Sequence, residues 1–191
     1  MASSTKTIIL TTGAMFNESI PVGKTMLTKL GVLVNNAGIA NSGNESMFHK
    51  LKSTLRTNAA GPYATVKAFT PLLSKSLSTP CIVNVSSGAG SITLRLNPED
   101  AFYKTKRDQY QISKAAPNMV TACQITEYHP RGWKVLVYRP GWTERNFTPR
   151  NKTADGAKPT SEGAVPIVRI LNGERDAEAG KHFRYDGEHP W

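Results

Sequence analysis

Short apolar runs alternate with longer stretches of helical period along this chain of 191 residues. Residues 6–11, 32–35, 82–85 and 135–138 are compact runs of β-branched and apolar side chains, too short for helices, and read as strands. A last strand is expected at 182–185. Between them, 46–76 carries helical periodicity in two pieces, with Gly61 and Pro62 between or within them. Residues 108–128 read as one helix and 161–171 as a shorter one. Residues 88–108 read as a loop, with Gly90 and the Asn97–Pro98 step as breakers. Residues 141–158, rich in Gly, Pro, Asn and Thr and without a period, read as a mobile loop. Strands alternating with helices predict an α/β fold with a parallel sheet covered on both faces. No repeat or internal boundary is visible, so a single domain over 1–191 is expected. Ligands in such sheets lie beyond the carboxyl ends of the strands. Residues 35–38, 86–87 and 140–143 each follow a strand directly, so they are expected to meet at one sheet edge.

Composition narrows the setting. Hydrophobic content of 39% and aromatic content of 8% suit a globular chain. No apolar run approaches the ~20 residues that span a bilayer, and the apolar stretch near the start is too short for a secretory signal. The expectation is a cytoplasmic protein without a membrane partner. Cys81 and Cys123 sit in apolar patterns and read as small core residues of a reducing compartment. The four histidines are scattered and no Cys/His cluster has metal-ligand spacing, so no metal is expected. The net charge of +10 is compatible with nucleic acid or an anionic membrane surface. With no basic helix interleaved with aromatics, solvated helix faces and loops such as 104–107 are the preferred reading, and no nucleic-acid partner is expected. A phosphorylated cofactor would also benefit from a positive field.

The chemistry is concentrated in YQISK, residues 110–114, which sets the Tyr110 phenol and the Lys114 ammonium one helical turn apart on one face. A phenol near its ordinary pKa of ~10 is a poor acid or base at neutral pH. A neighbouring cation favours the phenolate and makes the hydroxyl a usable proton donor or acceptor. Taken singly, the pair also fits ordinary helix surface, Ser86 and Ser87 fit loop hydroxyls, and Asn58 fits a cap or helix-bend residue.

Their order along the chain adds weight. VLVNNAG at 32–38, LRTNAAG at 55–61, CIVNVSS at 81–87, YQISK at 110–114 and RPGW at 139–142 occur in a sequence and spacing that resembles the short-chain dehydrogenase/reductase family. The likeness runs from about residue 30 onward, and residues 172–191 resemble the end of fungal carbonyl-reductase-like members. The resemblance implies a Rossmann-like parallel sheet with helices on both faces. It also implies NADP, with NAD as the alternative, and reduction of a carbonyl or oxidation of a secondary alcohol, with a place in fungal secondary metabolism. It implies that Tyr110 is the general acid or base and that Lys114 tunes it and bonds the nicotinamide ribose. Ser87 would bind the substrate oxygen, with Ser86 ranked second, and Asn58 would support a relay water. Asn35, Ala37 and Gly38 would line the adenosine side of the cofactor, and Pro140, Gly141 and Thr143 the nicotinamide side. The loop from Glu144 to Gly163 would cover the substrate.

The front of the chain departs from that pattern. The family's Thr-Gly-x-x-x-Gly-x-Gly turn is represented only by Thr12 and Gly13, and the missing glycines are those that admit a pyrophosphate to a helix N-terminus. Gly23, Lys24 and Thr25 look like the end of a phosphate-binding loop, but at the wrong distance from Gly13. Only residues 13–30 separate the first two strands, enough for one crossover helix and too few for a further βαβ unit of ~30 residues. The expected sheet is therefore truncated, with the usual strands 2 and 3 lost and strand 1 left as an edge. Pro117 falls inside the helix of Tyr110, where it removes the donor for the Ser113 carbonyl. Arg145 reads equally as a cofactor-phosphate contact and as a loop charge. A second reading of the chain is a catalytically impaired remnant, forming a homo-oligomer or pairing with a full-length relative through its helices at 53–76 and 108–128.

Overall fold

The computed structural model describes residues 9–12, 28–40, 43–144, 152–184 and 187–191. Its centre is a six-stranded sheet: β1 (Ile9–Thr12), β2 (Val32–Asn35), β3 (Cys81–Val85), β4 (Lys134–Tyr138), β5 (His182–Arg184) and β6 (Gly187–Glu188), in that spatial order. The first five strands run parallel and β6 returns antiparallel to β5. Among the described residues β1 pairs with β2 alone and stands at one end of the sheet. Residues 6–8 of the first predicted strand, the 13–27 interval with Gly23, Lys24 and Thr25, and Arg145 lie outside the described residues.

The helices are α1 (Met47–Leu55), α2 (Gly61–Leu73), α3 (Ile92–Leu96), α4 (Ala101–Lys104), α5 (Asp108–Tyr128) and α6 (Thr160–Leu171). A π-helical turn, Arg56–Ala60, joins α1 to α2, so the two helical pieces expected in 46–76 meet at Asn58 rather than at the Gly61–Pro62 step. The expectation of an unstructured 88–108 needs correction. Ser87, Ser91 and Asp100 each accept a main-chain N–H with their side chains and start short helical turns at Gly88, Ile92 and Ala101. Helices this short leave no readable period. β6 was also invisible, having only two residues.

Two apolar layers sandwich the sheet. Val32, Val34, Val83, Val85, Leu136, Tyr138 and Phe183 pack against Ile170 of α6 on one face. Leu33, Ile82 and Val135 pack against Val66, Leu73, Tyr128 and Trp133 on the other. Burial on both faces is why β2 and β3 read as continuous apolar runs instead of alternating ones. Cys81 lies in the first layer, where burial pushes its thiol up to about 12. Cys123 is exposed on α5, against the expectation that both cysteines are core residues.

At the far end of the sheet, the His182 ring is fully buried, and neither ring nitrogen has a hydrogen-bond partner among the described residues. Burial, reinforced by the neighbouring His189 and Arg139, pulls its pKa from 6.5 down to about 3. The unfolded chain therefore takes up a proton at His182 below about pH 6.5 that the folded chain refuses. Stability should fall as pH drops from that value toward 3, by up to ~1.4 kcal/mol per pH unit from this group. Denaturant midpoints at about pH 7.5 and 5 should lie closer together in His182→Phe than in the unsubstituted protein. An unaltered gap would count against this assignment.

Candidate active site

β1 to β4 all deliver their carboxyl ends to one edge of the sheet, and the residues singled out in the sequence follow them there. Thr12, at the end of β1, accepts the Asn36 and Ala37 N–H groups on its hydroxyl at 3.2 and 3.3 Å. The segment after β2 is thereby tied to the end of β1. Gly38 comes next. A methyl group there would lie 3.4 Å from both Asn58 Oδ1 and Lys114 Nζ, so a loop, a helix turn and a second helix converge on one point. A methyl group would sit there at the near edge of ordinary contact, so Gly38 leaves a small opening beside Lys114.

Asn58 is buried at the π-helical turn. Its Oδ1 accepts Ile39 N–H at 2.8 Å, and its Nδ2 donates to Ile39 O and to Ser113 Oγ, both at 2.9 Å. Ser113 in turn donates to the Tyr110 carbonyl at 2.8 Å. Both donors of the amide are thus engaged by the protein, so the side chain of Asn58 staples α5 to the loop after β2. Lys114 is 5% exposed, and its ammonium lies 3.3 Å from Val85 O at the end of β3. Tyr110 stands one turn earlier on α5, half-buried. α5 runs on through Pro117, which is buried, so the proline does not interrupt the helix that carries the pair.

The two serines after β3 divide. Ser86 is buried and donates to Asn118 Oδ1 at 2.7 Å, with a longer contact of 3.3 Å to Lys114 O. Ser87 is half-buried and holds the next turn by accepting Ala89 N–H at 3.2 Å. That turn is pressed on α5, because a methyl at Gly90 would sit 2.2 Å from the Lys114 carbonyl oxygen. Asn118 also donates to Gly90 O at 3.2 Å.

On the remaining side, Pro140 is half-buried and Gly141 has φ +81°, a left-handed turn that suits glycine. Thr143 is buried and bridges to Lys158, with Glu144 N–H donating to Lys158 O at 2.7 Å. The described part of the 141–158 segment is therefore clipped to itself, and Gly163 of α6 packs on Thr143 and Pro140. Asn35, the first residue of the segment expected to line the adenosine side of a cofactor, turns its amide into the protein. It is 2% exposed and donates to Asn84 at 2.8 Å, leaving only its backbone for the sheet edge.

Sequence reasoning missed three positions: Gly90, treated only as a breaker, Asn118 and Arg139. Nothing local marks Asn118 or Arg139, whose partners lie 28 and 50 residues away.

A family model described as short chain dehydrogenase matches residues 17–156. The chain is 34% identical to short-chain dehydrogenase anuI of Penicillium roqueforti over 146 residues, which cover 73% of this chain and 56% of that one. It is 27% identical over 164 residues to the C-signal of Myxococcus xanthus, covering 84% of this chain and 92% of that protein. The NADPH-bound carbonyl reductase from chicken fatty liver superposes with a TM-score of 0.69 at 27% identity, covering 86% of this chain and 67% of that structure.

Proposed function

The chain belongs to the short chain dehydrogenase family, and on that premise we propose that it is an NAD(P)-dependent oxidoreductase that reduces a carbonyl or oxidises a secondary alcohol. The observation that carries this is the convergence of Gly38, Asn58 and Lys114 at the carboxyl edge of the sheet, one turn from Tyr110. The described residues suit the ribose and nicotinamide portion of such a cofactor. Gly38 admits a close approach, Lys114 presents an ammonium, and the Pro140–Thr143 segment forms a clipped wall.

When bound, the dinucleotide supplies or accepts the hydride. Tyr110 gives its phenolic proton to the substrate oxygen in reduction and takes it back in oxidation. Lys114 favours the phenolate electrostatically. Ser87 donates to the oxygen as negative charge grows on it. Asn58 holds α5 in register with the loop after β2, which sets where Tyr110 and Lys114 point. Among finer assignments we favour NADP, in keeping with the net charge of +10 and the NADPH-bound neighbour. The fungal relatives support a role in secondary metabolism. We place the protein in the cytoplasm, since no helix among the described residues is long and apolar enough to cross a membrane.

The test is calorimetric titration with NADPH and, separately, NADH, followed by turnover of an aromatic ketone panel. Heat with NADPH and weaker heat with NADH is expected, and the absence of heat with either at high protein concentration would remove the enzyme reading.

One observation favours a second reading. Helices α2 and α5 leave Tyr63, Ile112 and Met119 exposed. A catalytically impaired partner pairing with itself or a longer relative would use such faces. Coelution with a full-length relative in size-exclusion chromatography would support it, and strictly separate elution would not.

A further inference from the structure

The Ser87–Ser91 turn is gripped from two sides. Towards α5 it rests on Gly90, as described. Its other side is Gly88, where a methyl group would lie 2.6 Å from Arg139 Cζ and 2.8 Å from both Arg139 Nε and Phe102 Cε2. The Arg139 guanidinium therefore lies against the backbone of the residue following Ser87. It also lies 5.5 Å from the centroid of the Phe102 ring, within cation–π range. From there it reaches His189 Nδ1 at 3.4 Å.

Each surface that meets Arg139 is itself held. Phe102 accepts at its carbonyl from Arg95 Nη1 at 2.9 Å and from Gln111 Nε2 at 3.4 Å, and its N–H goes to Asp100 Oδ1 at 2.8 Å. The Arg139 backbone N–H donates to Phe183 O at 2.9 Å, and His189 N–H to His182 O at 2.8 Å. The guanidinium thus joins the end of β4, the Ser87 turn, α4 and the β5–β6 hairpin.

We infer that Arg139 is a positioning residue: by packing against Gly88 beside the Phe102 ring it holds the Ser87–Ser91 turn, and with it the Ser87 hydroxyl, in place. The inference rests on the oxidoreductase reading for what Ser87 does, but not for how the turn is held. A planar guanidinium can press on a glycine and stay within reach of a ring at once in a way that a compact ammonium does not.

The turn reports on itself through two main-chain bonds, Gly90 N–H to Ser87 O at 2.9 Å and Ser91 N–H to Gly88 O at 3.0 Å. Amide hydrogen exchange on the full chain, without cofactor, reads both. Arg139→Met should speed exchange at Gly90 and Ser91 about tenfold or more while β3 and β4 amides stay unchanged, with Arg139→Lys only partly restoring protection. Phe102→Leu, which removes the ring and leaves the guanidinium, should give a weaker version of the same local pattern and serves if Arg139→Met does not fold. Unchanged exchange at Gly90 and Ser91 in the variants overturns the inference. In turnover, kcat should fall about tenfold in Arg139→Met with the cofactor KM unaltered. A wild-type chain without turnover would remove the oxidoreductase reading and leave the exchange result to decide the role of Arg139.

Discussion

Replacing Tyr110 with Phe is expected to lower turnover by roughly 10³-fold, while NADPH binding measured by calorimetry stays within about twofold. The substitution removes one oxygen from a half-buried side chain in the first turn of α5 and leaves the ring to pack as before. General acid or base assistance contributes about 10²–10⁴-fold in such steps, so the loss belongs almost wholly to the proton. The Tyr110 main chain keeps its bond from Ser113, and through it the tie to Asn58, so the geometry of the helix should survive. Ser87→Ala should cost about 10² by removing a donor to the charged oxygen. Turnover by Tyr110→Phe at the unsubstituted rate would show that the phenol is not the proton donor.

Gly90→Ala should be the most damaging single-methyl change in the chain. The added carbon would lie 2.2 Å from the Lys114 carbonyl oxygen and 2.3 Å from its carbonyl carbon, both backbone atoms of a helix that cannot retreat without moving Tyr110 and Lys114. Overpacking of this kind costs about 1–3 kcal/mol, and a rigid neighbour puts it at or beyond the upper end. Gly61→Ala is the control, since the added methyl would lie 3.5 Å from Arg56 O of the preceding π-helical turn, an ordinary contact. Urea unfolding should therefore show a large drop in midpoint for Gly90→Ala and little or none for Gly61→Ala. Equal midpoints would mean that the Ser87 turn is not pressed against α5.

The parts of this fold that could be seen in the sequence are those governed by local period. β2 and α5 have the bounds that their patterns suggest, because a continuous apolar run and a 21-residue helix leave unambiguous traces. The short turns of 88–104 left none, since three capping side chains start them and no apolar face continues for two turns. Cys123 was misjudged because apolar neighbours in sequence say little about which side of a helix faces water. At the site, Tyr110, Lys114, Ser87 and Asn58 were singled out by the resemblance of the ordered motifs, since each residue type alone also fits a surface, loop or cap position. What Asn58 and Asn35 do with their amides depended on partners 19 to 55 residues away, which no spacing reveals. Arg139 was noted only as the first residue of the RPGW motif, and its contacts exist only because Gly88 and Phe102 meet across the turn.

The amides between the sheet and α5 have one more consequence. Asn35 donates to Asn84, which donates to Thr121 at 2.9 Å and Gln124 at 2.7 Å. All four are at most 2% exposed. An oily contact between helix and sheet tolerates sliding, because one methyl replaces another at little cost. A dry row of directional bonds does not, since a shift of α5 by one residue would strand several of its members together. The row therefore acts as an indexing stop, allowing α5 a single axial setting, and the phenol and ammonium at its front inherit that setting from contacts roughly two to four turns behind them.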